Sequence, residues 1–249
     1  MPRSEELKGR VALVTGASRN IGRAIALDLA DAGAAVVVNT RASRKAAEAV
    51  VREIEARGGQ GLLALSDVTD EGAVRATIEA AVARFGRMDI LVNNAAVRPE
   101  QSFEQMSLGE FRSVVGLILE GAFLCARMAL PHLKRSDGAA IVNIGGMTGH
   151  SGAAGRAHVV AGKAGLVGLT KALAHELSPQ GITVNCVVPG LIATARTDAV
   201  PGVHLRNPPL VGRRGAPEDV AAMVRHLAGP AGRYITGQTI HVNGGAFLP

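Results

Sequence analysis

Short runs of β-branched and other apolar residues alternate with longer stretches of helical period from Val11 almost to the C-terminus. Strands are predicted at 11–15, 35–39, 61–66, 90–92, 139–144, 183–188 and 239–242, each with Val, Ile or Leu at its centre. Their apolar character is nearly continuous, which is the pattern of parallel strands buried on both faces. Between them, 21–32, 43–57, 71–85, 107–133, 156–178 and 217–227 carry apolar residues at three- and four-residue spacing and are predicted helices. Ser107 with Glu110 forms an S-x-x-E capping box, Pro217 opens the last helix, and Gly33 and Gly58 stop two others. Strand, helix, strand, repeated, implies a single α/β domain, doubly wound and Rossmann-like, its parallel sheet covered by helices on both faces. No linker or composition shift divides the 249 residues. The longest stretch without regular structure, 191–215, is rich in Arg, Pro and Gly and reads as a binding loop or lid.

Aromatic residues make up only 2%, with one Tyr and no Trp, so the core must be built from Ala, Val, Leu and Ile. The formal charge of +6 raises nucleic acid as a partner. Arg is scattered, however, no run of five basic residues occurs, and almost no aromatic side chain is available for base stacking, so no nucleic-acid partner is expected. A dinucleotide phosphate is the more economical anion. Cys125 and Cys186 stand alone in apolar surroundings, with no CxxC and no His at ligand spacing, so two reduced buried thiols and no metal are expected. The N-terminal residues lack the apolar core of a signal peptide, and no apolar run approaches membrane-spanning length. A cytoplasmic protein without a membrane partner is the expectation.

The first predicted strand runs into Thr15-Gly16-Ala17-Ser18-Arg19-Asn20-Ile21-Gly22, which opens a helix. Glycines there let the backbone pass close to a pyrophosphate, while the helix N-terminus offers free N–H donors and a partial positive charge. This turn resembles the TGxxxGxG motif of the short-chain dehydrogenase/reductase family, and the resemblance extends along the chain. Asp67-Val68 is similar to its adenine-contacting Asp-Val, Asn93-Asn94-Ala95-Ala96 to its NNAG, and Pro189-Gly190-Leu191-Ile192-Ala193-Thr194 to its PGxIxT beside the nicotinamide. Residues 234–238 and Asn243-Gly244-Gly245 resemble its C-terminal segment. The cofactor set expected on this basis is Gly16, Ser18, Arg19, Asn20, Ile21, Gly22, Arg41, Asp67, Val68, Asn94, Ala95, Lys163, Pro189, Gly190, Ile192 and Thr194. An acid at the end of the second strand would accept from the ribose 2′-OH and repel a 2′-phosphate, but this chain has Asn39-Thr40-Arg41 there and Arg19 in the glycine turn. Two guanidiniums can clamp a dianionic phosphate, so NADP(H) is expected over NAD(H).

The resemblance implies hydride transfer to a carbonyl with a Tyr acid, a Lys that tunes the Tyr and holds the ribose, a Ser on the carbonyl oxygen and an Asn in the preceding helix. Aligned on that pattern, Lys163 is the Lys, whereas Val159, Gly146 and Ile118 fall at the Tyr, Ser and Asn positions. Val cannot donate a proton, so an alternative donor is sought. His158 is five residues before Lys163 and is rotated about 140° from its helix face. His150 and Thr148 follow the fifth strand, where substrate-facing residues would stand. Arg156 falls close to the Lys163 face and could bind a substrate carboxylate or phosphate. Within 191–215, His204, Arg206 and Arg214 hint at an acidic substrate. Three functions fit these residues: an NADP(H)-dependent oxidoreductase on a small carbonyl or alcohol with an unusual proton donor, a non-redox enzyme on the same scaffold, or a non-catalytic NADP(H)-binding or assembly protein. Ala161, Ala164, Gly165, Gly168 and Ala172 form a small-residue helix face suited to a homo-oligomer, a dimer or tetramer.

Overall fold

Consecutive residues of the strand Ala35–Thr40 divide between two cores: Val36 and Val38 join one apolar cluster and Val37 the other. The same division runs through six of the seven strands, β1 (Val11–Val14), β2 (Ala35–Thr40), β3 (Gln60–Leu65), β4 (Ile90–Asn93), β5 (Ala139–Ile144) and β6 (Ile182–Pro189), whereas β7 (Thr239–Val242) packs Ile240 and Val242 on the first cluster alone. All pair in parallel in the order β3-β2-β1-β4-β5-β6-β7. In this computed structural model, residues 5–194 and 208–249 are described. Three helices, α1 (Asn20–Asp31), α2 (Arg44–Ala56) and α8 (Pro217–Ala228), cover one face around Val14, Ile25, Val92 and Val224. On the other lie α3 (Glu71–Phe85), α5 (Gly121–Leu133) and α7 (Ala157–Leu177), around Leu13, Ile78, Leu91, Ile141 and Val184. The predicted doubly wound architecture is therefore the one observed.

Two differences from the sequence reading bear on the site. The run 107–133 is not a uniform α-helix: α4 (Leu108–Val115) passes through a π-helical turn, Gly116–Glu120, into α5. Gly116 opens that turn and Gly121 follows it; a Cβ on Gly121 would come within 2.7 Å of Val68 Cγ2. Taken together, Leu108–Leu133 is long and apolar enough to cross a membrane, in contrast to the expectation from sequence. It packs against α3, α7 and β4 as a core helix. The second difference is a short helix, α6 (Thr148–Ser151), that periodicity did not reveal. At the N-terminus of α4, Ser107 Oγ accepts from Glu110 N at 3.1 Å and Glu110 Oε2 accepts from Ser107 N at 2.8 Å, so the capping box is present as predicted.

Strand order reverses between β1 and β4, so the connections after these strands diverge to opposite faces and leave a crevice at their C-terminal ends.

Candidate active site

The crevice holds a cavity of about 300 Å³ that reaches from the β2 end to the start of α7. Its floor is backbone. Gly16 takes a left-handed φ of 62° beneath Ala95, and a Cβ on Gly22 would lie 2.3 Å from Gly16 O and 2.5 Å from Asn94 Nδ2. Side chains then lock the turn: Asn94 Nδ2 donates to Thr15 O and Gly16 O at 2.9 and 3.0 Å, and Thr15 Oγ1 accepts from the backbone N–H groups of Asn94 and Ala95. Arg19 is the extended N-cap of α1 and lends no side-chain cap, so the first N–H groups of the helix face the cavity without an intrahelical partner.

At the β2 end, Asn39 Nδ2 donates to Ser66 Oγ and O, tying β2 to β3 and presenting Thr40 and Arg41 to the cavity. Arg41 lies 3.5 Å from Asp67, and Asp67 is held below the usual carboxylate range, chiefly by the Thr69 N–H at 3.0 Å, with Arg41 contributing. No carboxylate stands at the tip of β2, and the exposed Arg19 and Arg41 both line this end. The residues present fit a dinucleotide carrying an extra phosphate: a cradle with no room for side chains, an open helix N-terminus and two cations at the adenosine end.

At the other end, Lys163 is buried, and its Nζ donates to Ile144 O. Burial, reinforced by the nearby Arg98 charge, lowers its ammonium to a pKa of about 8. A Cβ on Gly146 would meet Lys163 Cγ at 3.5 Å, while the backbone of Gly149 packs directly against Lys163. Ile118 and Val159 pack with Val114 in a separate apolar cluster, and Val159 also lines the cavity. Thr148 and Arg156 line it too, but Arg156 is buried and ion-paired with Glu100, so its charge is already matched.

The structure brings Gly16, Ser18, Arg19, Asn20, Ile21, Gly22, Arg41, Asp67, Val68, Asn94, Ala95, Thr148, Arg156, Lys163, Pro189 and Gly190 around one cavity. It does not bring four others there. His158 is turned away, as its helical angle implied: its Nδ1 accepts from Val159 N at 3.0 Å, and it lines a separate crevice with Glu110 and Ser113. His150 points from α6 toward β7, with its ring 4.7 Å from that of His241. Neither histidine lines the cavity that holds Lys163. Ile192 packs on the core and bridges to Gly215, and Thr194 is likewise outside the cavity wall. His204 and Arg206 lie outside the described residues; Arg214 is exposed and does not line the cavity. Tyr234 is fully exposed on the segment before β7. Arg98 was missed from sequence because it stands in an irregular loop with no motif of its own.

Residues 16–246 match the family model described as enoyl-(acyl carrier protein) reductase. The chain is 44% identical over 241 residues to the 3-oxoacyl-[acyl-carrier-protein] reductase FabG of Staphylococcus aureus, covering 95% of this chain and 98% of that relative. It belongs to the short-chain dehydrogenase/reductase family. A second reductase of the same description, from Synechocystis, is 42% identical over 243 residues, covering 97% and 98% of the two chains. A short-chain dehydrogenase from Burkholderia cenocepacia, solved in complex with NADP, superposes with a TM-score of 0.91 at 36% identity, over 97% of this chain and 99% of that one. A blue fluorescent protein from a metagenomic library, solved with NADPH, gives 0.91 at 34% identity over 98% and 100%. As a short-chain dehydrogenase/reductase, the chain has its cavity where open α/β sheets bind their ligands, at the switch point of strand order.

Proposed function

We propose that this protein is an NADP(H)-dependent oxidoreductase acting on a small carbonyl or alcohol compound, with Lys163 as the side chain that manages the proton. The observation that carries this reading is that Lys163 is buried in the same cavity as an intact dinucleotide cradle. Arg19 and Arg41 would hold the 2′-phosphate, Asp67 and Val68 would flank the adenine, and the α1 N-terminus would face the pyrophosphate. Bound NADPH supplies the hydride. The protein's own part is to place the substrate and deliver a proton to its oxygen. A lysine with a pKa of about 8 releases a proton far more readily near neutral pH than an ordinary one. The space beside Gly146, where no side chain intervenes, lets a water connect Lys163 to the substrate, and the Thr148 hydroxyl can donate to the same oxygen. In this alignment Val159, Gly146 and Ile118 stand for the family's Tyr, Ser and Asn, so turnover is slow by the standard of a positioned tyrosine.

One observation favours a second reading, in which the nucleotide is bound without redox turnover: the Val114–Ile118–Val159 cluster seals the proton-donor position with apolar side chains. Monitoring NADPH absorbance against a carbonyl panel, headed by 3-oxoacyl thioesters because of the relatives' described activity, separates the two. Consumption with one substrate supports the first; tight NADPH binding with no consumption across the panel supports the second. The buried cysteines agree with a reducing cytoplasm. Exposed Ala161, Ala164, Gly168 and Ala172 on α7, and the exposed Phe123 on α5, support a dimer or tetramer, which light scattering at micromolar concentration checks.

A further inference from the structure

Behind the cavity wall, three segments meet through aromatic rings. His150, on α6, packs edge-on against His241 of β7 with ring centroids 4.7 Å apart, and Phe247 of the C-terminal tail lies 6.0 Å from the first and 5.3 Å from the second. His150 Nε2 and His241 Nδ1 are both buried, and neither has a hydrogen-bond partner. Such a pair is held best while both rings are uncharged, because both are partly buried and a charge on either one is opposed by desolvation with no partner at these two nitrogens. The titratable and charged groups facing the pair add nothing to hold that cation. Lys171 of α7 repels a charge on His150, each imidazole opposes charge on the other, and the Cys186 thiol of β6, in the same layer as Phe247, remains protonated. Among the described residues no carboxylate acts on either ring.

The segments that meet here also shape the site. α6 carries Thr148 into the cavity and packs the Gly149 backbone on Lys163. The tail is folded on itself by Asn243, whose Nδ2 donates to Phe247 O and whose Oδ1 accepts from Gly245 N. On that folded tail rest Pro209, Leu210 and Val211, the described end of the 191–215 loop, with Val211 N donating to Gly244 O. Asn243 also lies against Gly190 at the cavity mouth.

We propose that the His150–His241 pair is a proton-sensitive latch: uncharged, it holds the C-terminal strand and tail against the α6 turn that positions Thr148 beside Lys163; charged, it releases them. This goes beyond the proposed reaction and does not depend on it, since it needs only the geometry of the three segments. The sign follows from burial, which holds both imidazoles below their ordinary value. The latch is at full strength above about pH 6.5 and weakens as pH falls through the lower values of the closed state, by up to about tenfold per pH unit for each coupled proton.

Hydrogen–deuterium exchange on the full chain, corrected for intrinsic rates, tests this. Between pH 7.5 and 5.0, protection of 147–152 and 239–249 is expected to fall at least tenfold while that of Val11–Val14 holds. In a His150→Phe/His241→Phe variant, which keeps the ring packing and removes the protons, protection of both segments should stay level. Level protection in the wild type, or the same fall in the double variant, overturns the proposal. Should the double variant not fold, the histidine Cε1–H signals of the wild type decide: both rings titrating below the ordinary histidine value supports the latch, and either ring titrating at or above it overturns it.

Discussion

Replacing Ile118→Asn, Gly146→Ser and Val159→Tyr together tests the proposal that these three positions stand for the family's proton relay and that its lack limits turnover. The structure has room for each change in a different degree. A Cβ at 146 meets Lys163 Cγ at 3.5 Å, an ordinary contact, so serine enters without displacement. Val159 borders the cavity of about 300 Å³, so a phenol ring at that position extends into open space one helical turn before Lys163. Ile118 is the costly position: it is buried against Val114, Val159 and the Gly162 backbone, and an amide there must find partners or lose about 1–3 kcal/mol. In a domain of this size that corresponds to a fall in melting temperature of roughly 2–12 °C. A positioned general acid contributes about 10²–10⁴ in rate, or roughly 3–5 kcal/mol of barrier. NADPH-dependent reduction of the best substrate in the panel should therefore rise by at least a hundredfold in kcat, with NADPH affinity unchanged because the cradle is untouched. Stopped-flow NADPH absorbance with matched calorimetric binding measures both. A folded triple variant that binds NADPH normally and gains less than tenfold refutes the reasoning.

Arg41→Ala should weaken NADP(H) about tenfold or more while leaving NAD(H) unchanged, because only the extra phosphate uses that guanidinium; isothermal calorimetry with both nucleotides checks it. Gly22→Ala drives a methyl into Gly16 O and Asn94, so dinucleotide binding should be lost and the melting temperature should fall, as seen by dye binding and thermal scanning. Lys163 binds protons less readily when folded than unfolded, so the stability of the nucleotide-free protein should rise with pH between about 8 and 10.4, by roughly 3 kcal/mol at most. Lys163→Met should remove that rise in urea titrations across the range, and a slope that survives the substitution would assign it to another group.

The fold was legible because seven short apolar runs and their intervening helices obey one period each, and Val36, Val37 and Val38 need no long-range knowledge to be read as a strand buried on both faces. The dinucleotide cradle was legible for a related reason: Gly16 and Gly22 are demanded by backbone contact, and such demands write themselves into sequence as glycines at fixed spacing. The neighbourhood of Lys163 was legible only in part. Helical geometry turned His158 away from Lys163, but nothing local revealed that His150 would face His241, ninety-one residues later and on another element. Arg156 was placed near the Lys163 face, while its neutralisation by Glu100 is a contact between two loops that no periodicity encodes. Ile192 and Thr194 were drawn toward the cavity by their motif, yet the strand-like bridge from Ile192 to Gly215 turns that segment onto the core.

The two halves of the site are built from different material, and that is why one can persist without the other. The cradle is made of backbone groups, so it survives wherever the β1–α1 turn and the Asn94 clamp survive, whatever happens around α7. The proton relay of the family is made of side chains projecting into a buried layer, where each hydroxyl or amide must be hydrogen-bonded to avoid a desolvation cost. Here that layer is Val114, Ile118 and Val159, three apolar groups that satisfy one another by packing. On the proposed reading, such an exchange would favour the folded state and disfavour proton transfer at once, the direction expected where stability and catalysis compete for the same positions. Lys163 of α7 still faces the cavity, its ammonium donating to a backbone carbonyl, that of Ile144. A lysine kept in that state, at the cost of burying its charge, is what a remaining catalytic use would look like. If instead the protein only binds the nucleotide, Lys163→Met should weaken NADPH binding, because Lys163 belongs to the expected cofactor set, with no turnover to lose, and the nucleotide-free variant should be more stable at pH 7 than the wild type.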